Sequence, residues 1–286
     1  MAEPVTQKWS SQIPGGPLNE REFRQWRELL EHRVGIQITE QRRRFLQTNL
    51  SLRMKEIGCR DYQSYYNLVV DGPTALMEWD TLVDRLTVQE TRFFRDPAGF
   101  DLVRQYLSAR QERTKPFNLW SVGCSTGEEP YSLAVMADQV LGQNVPCRWS
   151  VTASDISQPA LTKARVGRYS PRKLASVEKN VMDTYFNCDG DSCQISSYLK
   201  DRVCFIRMNV LDIDKSPLGD FDVIYCQNLL IYFRRWRRKE ITNHLVNHLA
   251  PGGLLILGSG ELTDWHNTEL TRISSESSLA FIKQKA

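Results

Sequence analysis

The sequence predicts an α/β protein in two parts. A small all-α domain over residues 18–113 precedes a mostly parallel sheet with helices on both faces over 114–286, and a small antiparallel β insertion sits at 183–200. Three observations predict this. From Leu18 to about Arg113 the apolar residues recur only at helical spacing. After Lys115-Pro116 short apolar runs alternate with amphipathic segments, the order of a parallel sheet and its crossover helices. Between them, Phe117–Ser132 reads FNLWSVGCSTGEEPYS: an apolar run, a glycine-bent loop, then two acids and a proline opening a helix. Such a strand, turn and helix start is the first βα unit of a nucleotide-binding sheet.

Each element follows in order. Residues 1–17 are polar and end in Gly15-Gly16-Pro17, which predicts a disordered lead. Phe23, Trp26, Leu30 and Val34 share one face of a first helix, and Leu46, Leu50, Met54 and Ile57 one face of a second, with Gly58 placed to end it. Asp61 can cap a short third helix carrying Tyr62, Tyr65, Tyr66 and Val69, which Asp71-Gly72-Pro73 breaks. Leu76, Trp79, Val83 and Leu86 mark a fourth helix. Asp96-Pro97 is a cap and first-turn pair for a fifth, with Phe100, Val103 and Leu107 inward.

In the second part, Phe117–Val122 is the first strand and Glu129–Leu141 its helix. Arg148–Ser154 is the second strand, ending in Asp155, followed by a capped helix from Ser157 to Arg165 closed by Gly167. Arg202–Met208 and Phe221–Cys226 are the next strands. A helix over Arg237–Leu249 stops at Ala250-Pro251-Gly252-Gly253, Leu254–Leu257 is the fifth strand, and Leu279–Lys283 is a late edge strand. Tyr185–Ser197, with Asp189-Gly190-Asp191 at its centre, interrupts the alternation and reads as a β-hairpin.

Composition excludes several classes. With 41% hydrophobic and 25% charged residues in 286, the chain is that of an ordinary soluble globular protein. Apolar runs such as Leu254–Leu257 are too short to span a bilayer, and the N-terminus lacks the apolar core of a signal peptide, so a cytoplasmic protein is expected. The net charge of +3 is too small to imply a nucleic acid or other polyanionic partner. The seven cysteines are irregularly spaced; Cys188 and Cys193 are the only close pair, and buried or idle thiols are expected. His244 and His248 stand four apart on a helix without a third ligand, so no metal is expected.

The glycine loop narrows the ligand. No Lys-Ser/Thr follows its last glycine, so it is not a Walker loop, and Glu128 and Glu129 already occupy the positive end of the helix dipole, where they oppose a pyrophosphate. A ligand carrying an amine, a ribose or a sulfonium fits better, which points to S-adenosylmethionine rather than NAD or ATP. Asp155, at the end of the second strand, can accept hydrogen bonds from both ribose hydroxyls. Asn209-Val210 and Gln227-Asn228 end two further strands, where open α/β sheets bind their ligands.

Four blocks occur in order: LTVQETRFFRD (Leu86–Asp96), SVGCSTGEEPYSLA (Ser121–Ala134), ASDIS (Ala153–Ser157), and FDVIYCQNLLIYF (Phe221–Phe233) ahead of LAPGGLLILGSGE (Leu249–Glu261). Over nearly its whole length the chain resembles the CheR-type chemoreceptor glutamate methyltransferases of bacterial chemotaxis. The resemblance implies an N-terminal helical, receptor-docking domain and a Rossmann-like class I methyltransferase domain with a three-stranded antiparallel subdomain. It implies S-adenosylmethionine as cofactor, S-adenosylhomocysteine as product, and cofactor contacts from Gln89, Thr91, Arg95, Glu129, Asp155, Asn209, Val210, Gln227 and Asn228. Tyr232 matches a tyrosine beside the methyl-transfer site. Gln89 stands where the family normally has Asn, and Gln227 where Arg is common. Cys124 replaces a smaller loop residue.

The chemistry so implied needs little from the protein. A glutamate side chain of pKa about 4.3 is already ionised at neutral pH, so alignment and exclusion of water remain. Arg95 either orients the substrate carboxylate or holds the cofactor's own, and Tyr232 either meets the sulfonium or packs as a core aromatic. Phe93 and Phe94 are read as packing residues. The implied partner is the cytoplasmic coiled coil of methyl-accepting chemoreceptors, met by a monomer through the basic second helix at Arg42, Arg43, Arg53 and Lys55, whose alternative is a solvated face. Asn49 replaces an arginine that related proteins present there. The run Arg234–Lys239 either draws an acidic substrate or is a solvated helix start. Two other functions use the same features: a nucleic-acid methyltransferase, from the likeness of Asn228–Tyr232 to an Asn-Pro-Pro-Tyr motif whose prolines are missing, and a non-catalytic cofactor-binding signalling module.

Overall fold

A computed structural model describes residues 14–87, 89–142, 149–273 and 278–285. The expected disordered lead falls mostly on residues 1–13, outside that set, as does Arg148, expected to open the second strand. The chain forms two compact units, one ending at Leu86 and one that starts at Thr87 and also takes in Val34–Ile36.

The first unit is helical: α1 (Glu20–Val34), α2 (Arg43–Ile57), α3 (Tyr62–Asp71) and α4 (Ala75–Leu86). Phe23, Trp26 and Leu30 of α1 and Leu46, Leu50 and Met54 of α2 are buried, as the stripes require. Trp26 packs its ring against Tyr65 and Tyr66, with centroids 5.4 and 5.2 Å away. Gly58 ends α2 in the left-handed conformation at φ 72°, and Cys59 N–H closes the turn on the Met54 carbonyl at 2.8 Å. Asp61 caps α3 by accepting from Ser64 N–H at 2.8 Å.

Helix α4 is turned relative to its expected face. Leu76 is 84% exposed, and the buried set is Glu78, Leu82, Val83 and Leu86. The cause is electrostatic: the Arg53 guanidinium on α2 grips the buried Glu78 carboxylate through two nitrogens and also reaches Glu56 at 2.9 Å. Arg53→Ala would strand that carboxylate. It is expected to destabilise this unit by about 2–3 kcal/mol, somewhat less than for a fully buried pair because Arg53 keeps contact with water. Arg43→Ala, which breaks pairs to the exposed Glu20 and Glu40, is expected to cost far less. Equal drops in thermal midpoint for the two variants would show that burial of Glu78 does not set the cost.

The second unit starts with α5 (Pro97–Ser108), β1 (Phe117–Val122), α6 (Glu128–Leu141), β2 (Trp149–Asp155) and α7 (Gln158–Val166). Then come β3 (Arg168–Tyr169), α8 (Lys179–Tyr185), β4 (Phe186–Cys188), β5 (Cys193–Ile195), α9 (Ser197–Lys200) and β6 (Val203–Arg207). It closes with β7 (Phe221–Cys226), α10 (Arg235–Asn247), β8 (Leu249–Gly258), β9 (Leu270–Ile273) and β10 (Ser278–Lys283). The main sheet has the order β6-β2-β1-β7-β8-β10-β9, parallel as far as β8, with β10 antiparallel to both β8 and β9. Chain order reverses at β1, between β2 and β7, so a crevice opens outside the carboxyl ends of these strands.

Three expectations need correction here. Helix α5, placed in the N-terminal domain, belongs to the second unit, because Phe100, Val103 and Leu107 join the core around β1 and α6. The last strand is not an edge: β9 pairs outside β10, and its LTRI sequence is too polar to announce a strand. The hairpin pairs with β3 in the antiparallel order β3-β5-β4, the three-stranded subdomain that the family resemblance implies. Its register sets Cys188 opposite Cys193 with Cα atoms 4.0 Å apart, and the two form a disulfide rather than remaining thiols. Among the described residues, no helix is long and apolar enough to cross a membrane.

Candidate active site

The loop after β1 is pinned before any ligand is considered. Gly123 and Cys124 N–H groups donate to the Ser154 carbonyl at the end of β2, at 2.8 and 2.9 Å. Gly127 stands at φ 96°, and a Cβ there would lie 2.8 Å from that of Ala164, so this glycine answers to the close packing of α7. Cys124 turns into the core, 1% exposed. Asp155 takes Ser125 N–H on one carboxylate oxygen and Ser157 N–H on the other, each at 2.8 Å.

The two acids at the start of α6 part company. Glu128 is fully buried, paired with Lys173 and accepting from the Thr126 hydroxyl at 2.7 Å. Tyr169 of β3 also donates to the Thr126 carbonyl at 2.8 Å. Glu129 instead lines a cavity of about 250 Å³ at the ends of β1 and β7. Burial pushes its carboxyl up to about 8. Glu261 and Asp96 add to the rise, while the Ser121 hydroxyl, donating at 2.6 Å, and Arg95 oppose it.

The cavity brings together Thr91, Arg95, Glu129, Gln227, Asn228 and Tyr232. Arg95 is held by the Glu90 carbonyl at 2.8 Å, and the Gln227 amide donates to Asp96 at 2.5 Å, a carboxylate that Ser278 also engages. Gln89, Asp155, Asn209 and Val210 lie off its lining, Asp155 at the end of the neighbouring β2 and Asn209 and Val210 past the end of β6 beyond it. Gln89 reaches Ser157 at 3.4 Å, Met208 N–H bonds the Asp155 carbonyl at 3.0 Å, and Asn209 caps the turn at Val210–Lys215 through Leu211 N–H at 3.1 Å. Ser125 joins the two groups, since it lines the cavity and donates to Asp155. Across Arg92, Arg95 and Phe100 lies a second cleft of about 770 Å³, where Arg104 adds a third guanidinium.

Three contributors were not legible in the sequence. The buried hydroxyls of Ser125 and Tyr225 line the cavity and have no hydrogen-bond partner among the described residues, and burial beside Glu129 and Asp96 pushes the Tyr225 hydroxyl up. The third is Glu261, a buried carboxylate behind the cavity wall. Phe93 and Phe94 pack: Phe93 meets Tyr169 and Phe186 edge-on, and Phe94 meets Phe100.

The basic runs are less available than their sequences suggest. In the first unit, Arg43 pairs with Glu20 at 2.8 Å, Arg53 with Glu78, and Arg42 lies over the Phe45 ring at 5.0 Å, while Arg44 and Lys55 are exposed. In the second, Arg235 pairs with Asp264 at 2.5 Å and Arg237 with Glu240 at 2.6 Å, and Arg238 turns inward onto backbone carbonyls. The His248 ring bonds the Ile213 carbonyl at 2.9 Å, as a core histidine does.

Comparison with known proteins adds a second line. Residues 89–279 match the family model described as CheR methyltransferase, SAM binding domain, and residues 21–87 the one described as CheR methyltransferase, all-alpha domain. The chain is 32% identical over 248 residues to a chemotaxis protein methyltransferase of Escherichia coli K12, covering 85% of each chain. To chemotaxis protein methyltransferase 2 of Pseudomonas aeruginosa it is 30% identical over 244 residues, covering 84% of this chain and 86% of that one. For the chemotaxis protein methyltransferase of Borreliella burgdorferi the identity is 28% over 243 residues, covering 82% and 85%. The two family matches meet where the two structural units divide.

Proposed function

Because the chain belongs to the CheR methyltransferase family, we propose that it transfers a methyl group from S-adenosylmethionine to glutamate side chains of methyl-accepting chemoreceptors. The products are glutamate methyl esters and S-adenosylhomocysteine, and the reaction serves adaptation in a chemotaxis-type pathway in the cytoplasm. The single observation that carries the reading is Glu129, a carboxyl facing the cavity whose burial outweighs the opposing pull of Arg95 and leaves it able to take a further positive charge.

The cavity's chemistry fits this cofactor. Glu129 can meet its positive charge, and the unpartnered hydroxyls of Ser125 and Tyr225 supply neutral polar contacts. In this reading Asp155 and Gln89 take the ribose side, with Asn209 and Val210 at the neighbouring strand end. Thr91, Gln227 and Asn228 wall the remainder. When bound, the cofactor supplies a sulfonium methyl that an unprotonated carboxylate can accept by in-line displacement. The methyl transfer itself asks the chain to move no proton. Arg95 orients a carboxylate at the mouth, Tyr232 borders the transfer site, and Phe100 beneath them helps exclude water. No metal enters this scheme.

In the first unit, the proposed receptor contact is the outward side of α2. Arg42, Arg44 and Lys55 present charge there beside the exposed Leu52, and Arg43 and Arg53 hold the helix in place. That face suits the acidic, glutamate-bearing coiled coil of a receptor. Combined reversal, Arg44→Glu with Lys55→Glu, is expected to lower receptor methylation about tenfold at low ionic strength, with the defect shrinking as salt is added. Cofactor affinity should not move. A rate unchanged at low salt would remove α2 from the reading.

The reaction is tested by incubating the chain with tritiated S-adenosylmethionine and purified receptor cytoplasmic domains. Label released by base as methanol is expected, as a carboxyl methyl ester requires. Base-stable label on protein, or label on nucleic acid, would overturn the reading. Cofactor binding seen by calorimetry without transfer to any receptor would favour a non-catalytic module.

A further inference from the structure

The cavity wall formed by residues 227–233 belongs to no sheet, and its backbone is satisfied from outside. Asn228 stands in the left-handed region at φ 58°, and a single 3-10 turn spans Leu230–Tyr232. Such a segment leaves several N–H and C=O groups without a ladder. Two charged side chains supply the partners. The Glu261 carboxylate, 1% exposed, accepts from Gly258 N–H at 2.8 Å and from Ile231 N–H at 3.4 Å. The nearby N–H groups of Asn228 and Leu230 also favour its ionised form. From α10, the Arg238 guanidinium donates to the carbonyls of Phe233 at 2.8 Å, Glu261 at 3.1 Å and Ile231 at 3.3 Å. Gly258 completes the arrangement, because a Cβ there would fall on the Glu261 carboxylate.

We infer that Glu261 is a positioning residue for the methyl transfer: with Arg238 it fixes the loop that carries Gln227, Asn228 and Tyr232 to the cavity, and it touches neither cofactor nor substrate. A stability role alone would be met by any well-packed side chain at this place. A carboxylate that takes N–H groups from two segments, Gly258 at the end of β8 and Ile231 in the wall itself, specifies instead the path of the loop. The same carboxylate adds negative potential at Glu129, so it also bears on the charge of the site. The inference rests on the reading of this cavity as the cofactor site.

The test uses the full chain with Glu261→Gln, which keeps the size but turns an NH₂ toward backbone donors. S-adenosylmethionine affinity and kcat/KM are each expected to fall about tenfold or more, with partial recovery in Glu261→Asp, which keeps the charge. Wild-type affinity in a folded Glu261→Gln protein would overturn the inference, and so would a fall in thermal midpoint with no change in the affinity of the folded protein. Amide exchange on the wild-type chain covers the case in which the variant does not fold. The N–H groups of Asn228, Leu230 and Ile231 are expected to exchange slowly without cofactor, and fast exchange there would equally overturn it. If the wild-type chain binds no cofactor, the proposed function fails, while the exchange pattern still decides whether Glu261 holds the loop.

Discussion

Asp155→Ala is expected to lower S-adenosylmethionine affinity by a factor of about 10²–10⁴. The figure comes from two charge-assisted hydrogen bonds to the ribose hydroxyls, each worth about 1.5–3 kcal/mol. The carboxylate accepts from Ser125 and Ser157 N–H groups, which aim it at the end of β2 where the ribose is proposed to lie. The variant also frees the loop at Ser125, which lines the cavity, so misplacement adds to the lost contacts. The main sheet should survive, because no core side chain is removed. Calorimetry separates the contributions: Asp155→Asn keeps an oxygen for one N–H and should lose less. Unchanged affinity in the alanine variant would refute the ribose assignment.

The second large effect concerns Glu129 and pH. Its carboxyl titrates near 8 in the cofactor-free chain, mainly through burial, and is therefore mostly protonated at pH 6–7. A positively charged ligand favours the ionised form, so binding must expel a proton. Affinity is then expected to rise about tenfold per unit between pH 6 and 7.5 and to flatten as the carboxylate forms unaided. The stability sign is opposite. The unfolded chain ionises this group near its ordinary 4.5, the folded chain only near 8, so the group costs stability increasingly as pH climbs through that window. Glu129→Gln should weaken binding about tenfold or more, abolish the pH slope, and flatten the stability of the cofactor-free chain between pH 5 and 8. A variant that keeps the slope would place the titrating group elsewhere.

How far the sequence speaks depends on the range of the interaction. β1 and β7 stand at the residues read for them, because an apolar run bounded by a glycine or a polar turn is a local signal. β3 has two residues and β9 only four, with polar side chains between its apolar ends, so neither announces itself without its partner strand. Helix α5 was legible as a helix but not as to which core it joins, since periodicity gives a face and no address. The site shows the same limit. The glycine loop and the strand ends named Glu129, Gln227 and Asn228, and the family resemblance added Thr91, Arg95 and Tyr232. Nothing local said that Glu128 would turn to Lys173, 45 residues on, and that Glu129 would be the one of the two to face the cavity. Nor did the arginine run on α2 disclose that two of its charges answer Glu20 and Glu78, 23 and 25 residues from Arg43 and Arg53. Tyr225 and Glu261 were invisible as site residues, because one sits within a strand and the other beyond the next.

The pairing of Glu128 with Lys173, and the bond from Tyr169 to the Thr126 carbonyl, tie the cofactor loop to the small antiparallel sheet. Thermodynamic linkage makes such a tether symmetric. If a ligand of the small sheet shifts Lys173 or Tyr169 and thereby alters cofactor affinity by some factor, the cofactor must alter that ligand's affinity by the same factor. Loading state could thus be sensed at the small sheet, at a distance from the methyl that is transferred.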